Sequence, residues 1–418
     1  MLSDGLASSP SSLSQLQALH PPSSPPRLPP QQVPAPLSVS QDQVCRAIFS
    51  FPAGSAPGPS FLRASHLKDA LSCSSPASAE RFFNALKNVT NLFISGRAPT
   101  DISPIFLRSH SLCCKEEVGR YSPYIAVGEV LRRLVAKVIS SSVNASIAKS
   151  LCPLQLGVSA KGGCEAIVHA AGLALAHLED HWALSVDFRN AFNSISRTHM
   201  LEELRHHILQ ASSFVEFCYC SRPAPPILRH EHHSITSEAG VQQGDPLGPL
   251  LFALTLKPVI HRIADEVATL GMNAWYLDDG SLVGRRDDLE SVLKILEEEC
   301  PPRGLSLQKE KCHFHPPAKL PMRSESTLLG IPIERTRDLV LLGSPIGSEK
   351  MRVDTLLSWV RKLEAMMGFL PSLKAIRPNS HCFVLALPCP SLPLVCELLR
   401  LISHPYLPRS LISPSEPL

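Results

Sequence analysis

Patterned hydrophobicity begins near Val44. Residues 1–42 are dominated by Ser, Pro and Gln with almost no charge, a composition unable to bury enough apolar surface to offset chain entropy, so they are predicted to form a disordered tail. Farther on, apolar residues recur at helical spacing over 79–94 and 128–149, the second run as Val130, Leu131, Leu134, Val135, Val138 and Ile139. Residues 181–187 read as a buried strand ending in a carboxylate, and a helix opens near Ser196. Residues 272–277 and 281–284 are aromatic or branched and read as two short strands, with Asp279-Gly280 as the tight-turn signal between them. A helix is predicted over 288–300 and another over 349–370. The order strand, helix, hairpin, helix, strand from 181 to 314 predicts an α+β fold, a mixed sheet with helices on one face.

Composition changes little in this picture. At 418 residues and 45.5 kDa, with 44% apolar and 18% charged residues, the chain exceeds one typical domain and can build a sizeable core. A net charge of +3 is only mildly basic, so any nucleic-acid groove has to come from local clustering. The candidates are Arg132, Arg133 and Lys137 on one helical stretch, Arg285 and Arg286, Lys309 and Lys311, and Arg352, Arg361 and Lys362. Thirteen scattered cysteines without a CxxC pair point to a reducing compartment. With no signal-like amino terminus and no uncharged stretch of spanning length, a soluble intracellular protein is expected. Cys218 and Cys220 precede His230, His232 and His233 on segments that read as strands, but that spacing is not a structural zinc pattern.

The candidate chemistry lies in three segments. Asp278 and Asp279 set two adjacent carboxylates at a hairpin tip. Such a pair repels itself unless a cation lies between, and a hard divalent ion with oxygen ligands is the natural candidate. Asp187, at the end of its strand, can supply a third ligand. Residues 240–252, Gly-Val-Gln-Gln-Gly-Asp-Pro-Leu-Gly-Pro-Leu-Leu-Phe, run a Gly/Gln/Pro turn into an apolar helix. Its glycines permit close backbone approach, and its glutamines offer donors and acceptors to a polar ligand.

In this order and spacing, the three segments resemble polymerase motifs A, B and C of reverse transcriptases, most of all those of non-LTR retrotransposons, in which Ala-Phe-Asn follows the first aspartate as Ala191-Phe192-Asn193 does here. The resemblance implies a right-hand polymerase with fingers, a ferredoxin-like palm and a short or truncated thumb. The expected organisation is the tail at 1–42, fingers and N-terminal extension at 43–180, palm at 181–335, and primer grip with partial thumb at 336–418. It implies an RNA-directed DNA polymerase using two Mg2+ ions, with Mn2+ as an alternative, held by Asp187, Asp278 and Asp279. Phe188 would add its backbone carbonyl, and Phe192 would exclude a 2′-hydroxyl. Gln243, Gly244 and Tyr276 would line nucleotide and template, and Lys311 would protonate pyrophosphate, with Lys309 competing for that role. In the fingers run Arg120 lies three residues earlier than the family's phosphate-contacting arginine, and Lys115 is a second source of charge. Leu342 and Gly343 belong to the expected primer-grip hairpin at 341–347, of which 328–333 is a near copy. RNA template, DNA or RNA primer and dNTPs are the implied partners, with no membrane; oligomeric state is left open. The alternative is a retroelement remnant or adopted host protein that binds RNA without polymerising.

Overall fold

A computed structural model of the chain describes residues 17–30, 35–73, 75–112, 125–220, 226–230, 233–317, 326–336 and 338–368. Helices α1 (Gln41–Phe49), α2 (Ala64–Cys73), α3 (Pro76–Ile94) and α4 (Ser103–Phe106) come first. α1 opens on a capping box in which Ser40 and Gln43 satisfy each other's backbone N–H. A hairpin of β1 (Ser109–Leu112) and β2 (Ile125–Gly128) leads to α5 (Val130–Leu151) and α6 (Gly163–His177). Along α5 the predicted apolar positions Val130, Leu134, Val135, Val138 and Ile139 are buried.

The central unit follows, as β3 (Trp182–Val186), α7 (Ala191–Ser194), α8 (Arg197–Ile208), α9 (Ser212–Cys220), β4 (Pro226–His230), β5 (His233–Thr236), α10 (Gly248–Glu266), β6 (Met272–Tyr276), β7 (Asp279–Gly284), α11 (Arg286–Glu299) and β8 (His313–His315). The sheet runs in the order β6-β7-β3-β8 with every pair antiparallel. With helices between the first and second and between the third and fourth strands, this is a split βαβ arrangement. Two small hairpins, β9 (Thr327–Leu328) with β10 (Ile331–Pro332) and β11 (Leu339–Leu341) with β12 (Ser344–Ile346), precede α12 (Glu349–Gly368).

Side chains alternate across the sheet and divide the core in two. Trp182, Leu184 and Val186 of β3 face the large cluster that includes Leu254, Val259, Leu293 and Phe314. Ala183, Ala274 and Val283 face a second cluster with Ile167, Ala171 and Leu175 of α6 and Leu339 and Leu341 of β11. Helices therefore cover both faces rather than one, and the alanines supply the small residues on the face that α6 covers.

Two further expectations change. Residues 212–220 are a helix rather than a strand, because Phe214, Val215, Cys218 and Tyr219 bury one helical stripe. Among the described residues no group of three His, Cys, Asp or Glu is gathered to hold a metal ion, and His232 lies outside them. Parts of the Ser/Pro-rich segment also lie on the fold. Leu28 and Leu37 pack against the core, Arg205 donates to Pro29 O at 2.7 Å, and Asn190 donates to Leu19 O at 2.8 Å. A few apolar anchors, plus carbonyls left unpaired in an extended Pro-rich chain, are enough to hold it there. Finally, no helix of the described residues is long and apolar enough to cross a membrane.

A cluster of His207, Lys257 and Glu203 between α8 and α10 is expected to make stability pH-dependent. His207 Nε2 lies 3.3 Å from Lys257 Nζ, which donates to Ser150 Oγ at 2.7 Å. Burial, followed by the charges of Lys257, His206 and His261, pushes His207 down from 6.5 to about 4. The folded state thus favours neutral imidazole, so this contribution is complete above pH 6.5 and is lost as pH falls toward 4. His207→Gln, which keeps an acceptor for Lys257, is expected to flatten the fall of Tm across that window.

Candidate active site

Strand register brings the carboxylates to one edge. Val186 pairs with Gly280 across β3 and β7, so Asp187, the next residue, comes level with Asp279. Tyr276 pairs with Asp279 across β6 and β7, which leaves Leu277-Asp278 as the two-residue turn. The turn thus lies earlier than the Asp-Gly signal suggested, and Asp279 opens β7. Gly280 is inside the strand for a packing reason, since a Cβ there would meet the Trp275 ring at 2.6 Å.

The three carboxylates sense one another. Burial, and then the charge of Asp187, raises Asp278 above the ordinary carboxylate range. Although residue 279 reaches solvent, burial of its surroundings and the charges of Asp278 and Asp187 push Asp279 up to about 6, against the pull of Lys311. Burial raises Asp187, again opposed by Lys311. The oxygen-only donor set and its self-repulsion suit a hard divalent cation, although the three are not drawn together into a closed ligand cluster.

The segment after Asp187 packs directly on the Gly/Gln turn. Val241 N donates to Phe192 O at 2.7 Å and Gly240 N to Ile195 O at 3.0 Å. Gly240 has φ +67, and a Cβ on it would lie 2.3 Å from Phe192 O. The Phe192 ring stacks on Phe252 of α10 with centroids 4.7 Å apart. Phe188, in contrast, sends its ring into the core, stacked near Trp275. Gln243 is half-buried and Gly244 is exposed with φ +94.

Two buried arginines brace this turn. Arg197 donates to Gly240 O at 2.9 Å, Ser237 O at 2.9 Å and Ala239 O at 3.1 Å. Arg132 pairs with Asp245 at 3.0 Å, with both side chains almost wholly buried, and also donates to Gln242 Oε1. Asp245 in turn accepts from Tyr219 OH at 2.9 Å and from Leu247 N at 3.0 Å, at the start of α10. Arg132 is therefore not part of a basic surface. Its neighbours Arg133 and Lys137 lie over the Phe51 ring, and Arg133 donates to Ala56 O at 2.6 Å.

Residues 114–333, more than half of the chain, match the family described as "Reverse transcriptase (RNA-dependent DNA polymerase)". The chain belongs to the reverse transcriptase family. Over 138 residues it is 28% identical to the "Retrovirus-related Pol polyprotein from type-1 retrotransposable element R2" of Nasonia vitripennis, a match spanning 31% of this chain and 13% of that relative.

Within this reverse transcriptase chain the remaining predicted residues separate clearly. Lys311 is the lysine whose charge reaches Asp187 and Asp279, whereas Lys309 pairs with Glu297 at 2.6 Å and donates to Leu329 O at 3.1 Å. Tyr276 and Leu342 both pack on the α6 cluster. Leu342 and Gly343 form the β11–β12 turn with φ 47 and 82, and the Leu329-Gly330 turn is its near copy with φ 52 and 79. Arg352, Arg361 and Lys362 are exposed on α12. Lys115 and Arg120 lie outside the described residues. No site role was expected of Gln155, which touches the aspartate turn directly. The signal was a lone amide between two leucines, two residues before Gly157.

Proposed function

We propose that the chain is an RNA-directed DNA polymerase that transfers deoxynucleotides to a primer 3′-hydroxyl. The observation that carries this reading is that strand register brings three carboxylates, Asp187, Asp278 and Asp279, to one end of a split βαβ sheet in a reverse transcriptase chain. In this reading the sheet with α8, α10 and α11 is the palm, the helices before β3 are fingers, and α12 begins the thumb. Asp187 and Asp278 would hold two magnesium ions, with Asp279 as third carboxylate and the Phe188 carbonyl beside them. When bound, such ions neutralise charge on the attacking and leaving oxygens of phosphoryl transfer.

The chain's own groups do the rest. Phe192, held against Phe252, forms a wall under the incoming sugar. Gln243 offers hydrogen bonds to nucleotide and template, and Gly244 leaves room for them. Lys311 is the proton donor toward pyrophosphate, since it faces the carboxylates and Lys309 is tied to Glu297. Tyr276, packed on the α6 cluster, would act on nucleotide and template by holding the hairpin in place, and the Leu342-Gly343 turn would grip the primer.

The test is extension of a DNA primer on an RNA template with dNTPs and magnesium. Wild-type extension is expected, with ribonucleotides rejected. No extension with RNA binding retained would instead favour an RNA-binding descendant of a retroelement. Phe192→Val is expected to raise the ribonucleotide to deoxynucleotide ratio of kcat/KM by about 10–100-fold, measured by single-nucleotide incorporation. Unchanged discrimination would remove Phe192 from the gate.

A further inference from the structure

Leu277 is a non-glycine residue at φ +56, in the turn that carries Asp278 and precedes Asp279. A branched apolar side chain holds that conformation at a cost, because its Cβ crowds the backbone, a cost that the hairpin turns at Leu329 and Leu342 also carry. What sets Leu277 apart from those two is a side-chain contact from the adjoining segment. Gln155, 1% exposed, uses one amide on both sides of the residue: Oε1 accepts from Leu277 N at 2.8 Å and Nε2 donates to Leu277 O at 3.0 Å. Only one orientation of the amide satisfies both bonds.

The surrounding backbone holds Gln155 in turn. Leu156 N donates to Trp275 O and Trp275 N to Leu154 O, each at 2.7 Å, so residues 154–156 lie bonded along the free edge of β6. Gln155 N donates to Leu151 O at the end of α5 at 2.9 Å, and Gly157 N donates to Gln155 Oε1 at 3.0 Å. Gly157 is needed for the approach, because a Cβ there would come 2.6 Å from Leu277 N. The aspartate turn is thus bonded to the segment between α5 and α6 and not to its own hairpin alone.

We propose that Gln155 is a positioning residue, which holds Leu277 left-handed and thereby fixes the directions of Asp278 and Asp279. Without the amide, Leu277 relaxes to negative φ and the two carboxylates turn away from Asp187. The inference rests on the polymerase reading for its catalytic consequence but not for the clamp itself.

Two readouts on the full chain test it. In hydrogen–deuterium exchange, Gln155→Ala is expected to speed exchange of the Leu277 amide by at least about tenfold while amides of β3 keep their protection. In primer extension, Gln155→Ala is expected to lower kcat by about 10–100-fold with the dNTP KM within about twofold, as misplacement of reacting groups does. Adding Leu277→Gly, which accepts positive φ without a clamp, should recover at least about fivefold of that kcat. A merely structural role would raise exchange throughout the sheet and give no rescue by glycine. Unchanged Leu277 exchange, an unchanged kcat, or failure of Leu277→Gly to rescue would each overturn the proposal. If the wild type extends no primer, the polymerase reading fails, and local against global exchange in Gln155→Ala decides the clamp alone.

Discussion

Asp278→Asn is expected to abolish primer extension, by about a thousandfold or more, while raising the Tm of the chain in the absence of divalent cations. The two effects share one cause. Burial, together with the charge of Asp187, raises Asp278 above its ordinary range, so the folded chain holds its ionised form at a cost. Asn keeps the shape and removes the charge, which relieves repulsion with Asp187 and with Asp279. The same charge is what a divalent ion needs. A metal acting on a phosphoryl oxygen supplies several kcal/mol of transition-state stabilisation, and each ~1.4 kcal/mol is a factor of ten in rate. Single-turnover extension and a thermal melt in chelator check the pair together. Loss of activity with a lowered Tm would mean that the carboxylate is structural, and retained activity would remove Asp278 from the metal site. Gain of stability with loss of function marks a site whose charges are arranged for a ligand.

The strand segments of the site were legible because apolar runs flank each carboxylate, and those runs became β3, β6 and β7. The turn was not. Gly280 looked like a turn glycine, yet its missing Cβ makes room for the Trp275 ring, while the residue that does take positive φ is Leu277, which propensity disfavours. Local rules missed it because the hairpin's register, and at Leu277 a tertiary contact from Gln155, outweigh propensity. Arg132 misled for a related reason. Its charge made it a candidate for a nucleic-acid groove, but it is three residues before Val135 and seven before Ile139, both buried, so helical spacing already placed it inward. A buried arginine requires a buried acceptor, and Asp245, more than a hundred residues later, is invisible to any local window. In α9, cysteine and aromatic residues suit strand and helix alike, and the stripe Phe214, Val215, Cys218 and Tyr219 distinguishes them only once the opposing face is known.

The Arg132–Asp245 pair makes the second large prediction. Arg132→Met leaves the Asp245 carboxylate buried with only Tyr219 OH and Leu247 N as donors. Breaking a buried pair from one side typically costs about 3–5 kcal/mol, because an uncompensated charge stays behind. Asp245→Leu is expected to cost as much, since it strands the guanidinium and also removes the acceptor for Leu247 N at the start of α10. The double variant Arg132→Met with Asp245→Leu should be less destabilised than the sum of the two singles by about 1–3 kcal/mol, as coupled neighbours are. Chemical denaturation of the four proteins measures this. Function should respond differently. Arg132 also holds Gln242, and Gln243 with Gly244 follows in the same turn, so the double variant can regain stability without regaining the turn's geometry. A dNTP KM that stays raised in the refolded double variant would show that the ion pair fixes the nucleotide-side turn to α5. A KM restored along with stability would limit the pair to holding the fold together.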